Sequence, residues 1–101
     1  MEINIKDMEN KSYIELIGRL DGNSSNEVTD EVLEALDKNN NIVIDMSECP
    51  YVSSAGLRTL LTIGKKVKIN KGHMNIINLS EEVKDVMEMT GFGGIFKEFE
   101  E

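Results

Sequence analysis

Apolar residues recur along this 101-residue chain with two periods, and the alternation of those periods predicts its elements. Ile3 and Ile5 alternate with Glu2, Asn4 and Lys6, and Tyr13 to Leu20 alternates again with Ile14, Leu16 and Leu20 on one side. Period two is the mark of a half-buried strand, and the short polar link Asp7–Lys11 predicts a hairpin of the two. Val28, Val32, Leu33, Ala35 and Leu36 then follow helical spacing, after Ser24-Ser25-Asn26-Glu27, which has the pattern of a capping box. Ile42-Val43-Ile44 is a continuous β-branched run closed by Asp45, which reads as a strand buried on both faces. Leu57, Leu60, Leu61 and Val67 return to helical spacing, so a helix starts near Ser54. Lys71-Gly72-His73 is a turn, and Met74 to Leu79 reads as a second buried strand. Ser80 is a good N-cap for a last helix bearing Val83, Val86 and Met87, with Met87 and Met89 expected as core filling and Gly91 as its stop. Phe92 to Phe99 is expected to dock back on the sheet edge or core.

Strand, helix and strand from Ile42 to Leu79 make a βαβ unit, whose crossover is right-handed in nearly all proteins. The fold class is therefore α/β: a small mixed sheet with helices stacked mainly on one face. No repeat or linker divides the chain, so residues 1–101 are expected to be a single domain.

Charge narrows the partners. Nineteen acidic against eleven basic residues give a net charge of −8, which argues against nucleic acid. Lys65, Lys66, Lys68 and Lys71 gather at a helix end, where they complement the macrodipole. No apolar stretch approaches the ~20 residues of a membrane span. The alternating start Met1–Lys6 lacks the basic lead of a signal peptide, so the cytoplasm is the expected compartment and no membrane contact is expected. Cys49 is the only cysteine and His73 the only histidine, too few ligands for a zinc-type metal site. Without a paired base, Cys49 reads as a structural thiol.

The chemistry concentrates in Val52-Ser53-Ser54-Ala55-Gly56, between the central strand and its helix. Three readings apply to it. Serine is a strong N-cap, so the pair serves as capping residues alone. A serine hydrolase needs Gly-x-Ser-x-Gly and a histidine, but Val52 replaces the first glycine and His73 falls at the far end of the sheet. A phospho-acceptor at a helix start is exposed, and its phosphate meets free N–H groups and the positive dipole end. Modification there leaves the fold intact while adding about −1.5 to −2 charge to the surface.

Asp45-Met46-Ser47 followed by Tyr51-Val52-Ser53-Ser54-Ala55-Gly56-Leu57-Arg58 resembles the signature of bacterial anti-sigma factor antagonists, the STAS domain. Gly18-Arg19-Leu20-Asp21, Leu79-Ser80-Glu81-Glu82-Val83 and Thr90-Gly91-Phe92 extend the resemblance over nearly the whole chain. It implies a transcription regulator working by partner switching. The unmodified protein binds an anti-sigma factor that is also a serine kinase, and so frees the sigma factor. The kinase phosphorylates one serine, and a metal-dependent serine phosphatase reverses the step. The resemblance puts the acceptor at Ser54 and aligns Asp21 with an aspartate expected beside it. Many members have aspartate where this chain has Ser53, which leaves Ser53 as an alternative acceptor; Ala55 removes a third hydroxyl.

The implied docking surface comprises Asp21, Asn23, Ser24, Ser53, Ser54, Ala55, Gly56 and Arg58. Phosphoryl transfer needs a nucleotide cradle and Mg²⁺ ligands, and no Walker-type glycine loop occurs, so the chain is expected to be a substrate and ligand, without cofactor, rather than an enzyme. The alternative is a STAS module of another signalling or transport assembly, which binds a protein or small ligand without the Ser54 switch.

Overall fold

The structure, a computed structural model, describes residues 1–89. The expectations for Gly91 and for the segment 92–99 lie outside them. In chain order the elements are β1 (Glu2–Asp7), β2 (Ser12–Ile17), α1 (Ser25–Lys38), β3 (Asn41–Glu48), α2 (Ser54–Ile69), β4 (His73–Ile77) and α3 (Glu81–Met89). The sheet order is β1-β2-β3-β4. β1 runs antiparallel to β2, while β2, β3 and β4 are parallel. The predicted hairpin and the predicted βαβ unit are both present, and β2–α1–β3 adds a second crossover.

Register explains the core. Ile5 pairs with Ile14, Ile14 with Ile44 and Ile44 with Ile76, a ladder of isoleucines across all four strands. Ile14, Leu16, Ile42, Ile44, Met74 and Ile76 are buried together with Val28, Val32 and Leu36 of α1 and Leu57, Leu60 and Ile63 of α2. The order β2, β3, β4 advances in one direction. Two right-handed crossovers advancing the same way put both helices on the same face, and α1 packs against α2 there.

That topology corrects the expectation that β3 is buried on both faces. Ile42, Ile44 and Met46 point to the helices, whereas Val43 on the opposite face is only half-buried. β4, expected as a second buried strand, is an edge strand with His73 and Asn75 exposed. It stops at Ile77, where Asn78 takes a positive φ of 61°. Ser80 caps α3 as expected, its Oγ accepting the Val83 amide at 3.1 Å. Met87 enters the core, but Met89 is 86% exposed and fills nothing.

Asp45 is the polar anchor of the other face. Its Oδ2 accepts from the Tyr13 hydroxyl, and its Oδ1 accepts from the Ser47 amide at 2.9 Å and the Asn78 side-chain amide at 3.1 Å. Burial alone raises a carboxyl pKa; here the Tyr13, Ser47 and Asn78 donors outweigh it and bring Asp45 down to about 2. The residue that closes the apolar run thus ties β3 to β2 and to the chain leaving β4.

Candidate functional site

The α2 turn is built from two segments that meet past the end of the sheet. After β3, the Cys49 amide donates to Met46 O at 3.1 Å and turns the chain through Pro50. After β2, Gly18 takes a φ of +115°, a left-handed conformation that favours glycine, and the strand breaks. Leu20 and Val52 then form an isolated parallel bridge. Leu20 N donates to Tyr51 O at 3.0 Å, and Ser53 N donates to Leu20 O at 2.9 Å. The loop that carries Asp21 is thereby fastened alongside the turn that carries the serines.

Gly56 allows that contact. A Cβ on it would lie 2.4 Å from Leu20 O, 2.9 Å from the Leu20 Cγ and 2.9 Å from a Val52 methyl. Only a residue without a side chain lets α2 start this close to the neighbouring loop.

The two serines divide their work. Ser53 is the N-cap of α2, with extended backbone, and its Oγ accepts the Gly56 amide at 3.2 Å. Ser54 is the first helical residue and is exposed. The amides of Ser54 and Ala55 have no partner among the described residues, as the first amides of a helix generally lack one. The first turn of α2 holds no acidic side chain, whereas α1 has Glu27 and α3 has Glu81 and Glu82. Nothing on α2 itself neutralises the positive end of the helix. Arg58, four residues after Ser54, is exposed, and residues at that spacing share a helix face.

In the neighbouring loop, Asp21 is half-buried and organises the backbone. Its Oδ1 accepts the Asn23 amide at 3.0 Å, and its carbonyl accepts the amides of Ser24 and Ser25 at 3.2 and 2.9 Å. Asn23 is exposed. Ser24 departs from expectation. It stands at the N-cap of α1, yet its side chain makes no capping bond. Its hydroxyl is buried, donating to Arg19 O at 2.8 Å and accepting from the Asp21 amide at 3.1 Å. A helical φ and ψ at Ser24 turn the hydroxyl away from the helix amides and into the loop. Ser24 shapes the surface from beneath, and its hydroxyl faces no solvent.

His73 pairs with Asn41, at the start of β3, so it lies at the end of the sheet opposite the serine turn. Cys49 is buried, which pushes its thiol pKa up, and its Sγ donates to Tyr51 O at 3.6 Å. It is a core thiol.

One feature of this surface has no trace in the linear sequence. The Arg19 guanidinium lies 4.2 Å from the centroid of the Tyr51 ring. Only the Leu20–Val52 bridge brings these residues side by side, so no spacing rule finds them.

The profile of the STAS domain family matches residues 2–101. BtrV of Bordetella bronchiseptica, provisionally named an anti-sigma factor antagonist, is 36% identical over 55 residues, 54% of this chain and 47% of BtrV. The match thus spans about half the length of that relative. Among solved structures, the anti-sigma factor antagonist SpoIIAA in its unphosphorylated form superposes with a TM-score of 0.76 at 14% identity, over 99% of this chain and 87% of SpoIIAA. The phosphorylated form of Bacillus SpoIIAA gives 0.75 at 16% identity, over 99% and 89%. The murine anion transporter of solute carrier family 26, member A9, gives 0.78 at 12% identity, over 94% of this chain and 16% of the transporter. At these identities the likeness is one of fold.

Proposed function

The chain belongs to the STAS domain family, and on that premise we propose that it is an anti-sigma factor antagonist switched by phosphorylation of Ser54. In its unmodified form it binds an anti-sigma factor with serine kinase activity, in the cytoplasm, and releases the sigma factor. A serine phosphatase restores the binding form. The chain is substrate and ligand in this cycle, and the nucleotide chemistry belongs to the partner.

One observation carries the reading: Ser54 presents an exposed hydroxyl at the first residue of α2, while the neighbouring Ser53 hydroxyl is held as the cap. A phosphoryl group on Ser54 meets unpaired amides and an uncompensated helix end, so the domain tolerates it. The same group presents a partner docked over the turn with about −1.5 to −2 charges, and docking is lost through repulsion and desolvation. Asp21, Asn23, Ala55 and Arg58 form the remainder of the docking face; Gly56, expected there, is buried against Leu20 and Val52 and, like Ser24, supports the surface from beneath.

Incubation with the serine-kinase anti-sigma factor and ATP, followed by mapping of the modified residue, tests the assignment. Phosphate on Ser54 is the expected result; phosphate on Ser53 alone, or none, contradicts it. The occurrence of the same fold in an anion transporter supports a second reading, a STAS module within another assembly. In that case a Ser54→Asp variant keeps its partner.

A further inference from the structure

The chain's two arginines, Arg19 and Arg58, lie on the two segments that meet at the α2 turn, and its lysines lie elsewhere in the sequence. Arg19 is held in an unusual way for a surface side chain. Its guanidinium stacks on Tyr51, its Nε faces Asp21 Oδ2 at 3.8 Å, and the side chain is still 65% exposed. Tyr51 is itself 40% exposed. The two terminal amino groups of the guanidinium, its bidentate fork, have no partner among the described residues. The Tyr51 ring supports the guanidinium before any partner arrives, and the backbone bonds between Leu20 and the Tyr51–Ser53 segment hold that pair beside the acceptor turn.

We propose that the Arg19–Tyr51 stack selects the partner by receiving one of its Asp or Glu carboxylates on the open fork of Arg19, with the Tyr51 ring as an apolar floor. This deepens the functional reading above and rests on it. A planar fork is matched among protein side chains by a carboxylate, which accepts two parallel N–H bonds. Arginine and tyrosine are the residue types that most often dominate binding energy at interfaces. The long, solvent-facing contact with Asp21 is of a kind worth little, so it yields readily to an incoming group.

Charge gives the arrangement its selectivity. A protein of net charge −8 repels an acidic partner over much of its surface, so a fixed cation at the docking turn favours one register of approach over others. The same chemistry accounts for the direction of the switch. A phosphoryl group on Ser54 sets negative charge beside the place where the partner's carboxylate docks, and the two repel.

The test uses the purified anti-sigma kinase that modifies Ser54, with affinities measured by calorimetry at low and high salt. Arg19→Glu is expected to weaken binding about 100-fold. Arg19→Lys is expected to weaken it about 10-fold, because an ammonium offers neither fork nor stack. Replacing the responsible partner carboxylate with arginine is expected to restore binding to Arg19→Glu, and the melting temperature of that variant is expected to match the wild type. If Arg19→Glu binds as the wild type does while Ser54→Asp fails to bind, the inference is overturned and the functional reading stands. If Arg19→Glu loses binding but no partner carboxylate exchange restores it, the carboxylate is not the contact and the inference again falls. If the wild type neither binds such a kinase nor accepts phosphate, the functional reading falls and takes this inference with it.

Discussion

Adjacent serines with different surroundings make separable predictions. Ser53→Ala removes the bond to the Gly56 amide and is expected to cost about 1 kcal/mol of stability in denaturant unfolding, while phosphorylation of Ser54 continues. Ser54→Ala is expected to change stability by less than about 0.5 kcal/mol and to abolish phosphorylation, since no bond is made by its exposed hydroxyl among the described residues. Gly56→Ala drives a methyl to 2.4 Å from Leu20 O, so either α2 or the Asp21 loop must move. An expected loss of about 1–3 kcal/mol, with amide shift changes at Leu20 and Asp21 in NMR spectra, checks this. Asp45 predicts an acid limb. Its folded pKa of about 2 lies below its unfolded value, so its contribution is full above about pH 3.9 and is lost as pH falls toward 2. Tyr13→Phe removes a donor that depresses that pKa. The variant is expected to lose about 1.5 kcal/mol at neutral pH and to show a shallower decline between pH 4 and 2 in acid-unfolding curves.

At the scale of elements, local pattern and tertiary context had separate shares. The hairpin, α2 beginning at Ser54 and the Ser80 cap were legible because period, turn residues and a single capping hydroxyl act within a few residues. The two-sided burial expected of β3 failed for a global reason. A β-branched run looks alike whether helices cover one face or two, and the direction of successive crossovers decides between them. Ser24 failed for a local reason: the capping-box pattern was present, but the carbonyl of Arg19 and the amide of Asp21 competed for the same hydroxyl and won. The Ser53–Gly56 turn was legible as a helix start. The Arg19–Tyr51 stack beside it was not, because its partners come from two loops joined by the Leu20–Val52 bridge.

For the molecule as a whole, the sheet is a scaffold with the proposed recognition surface at one end. β2 and β3 run parallel, so the segments that follow them emerge at the same end, and the bridge between Leu20 and Val52 joins them there. That end carries the arginines of an otherwise acidic chain, the capped turn and the exposed hydroxyl. On the proposed reading, a new charge placed there changes what docks without disturbing the core beneath. The most direct measurement is the affinity of the anti-sigma kinase for the chain bearing phosphoserine at position 54, set against the unmodified chain at equal melting temperature. The account predicts binding weaker by about 100-fold, the loss of roughly 2.7 kcal/mol by affinity arithmetic. Equal affinity in the two forms contradicts it.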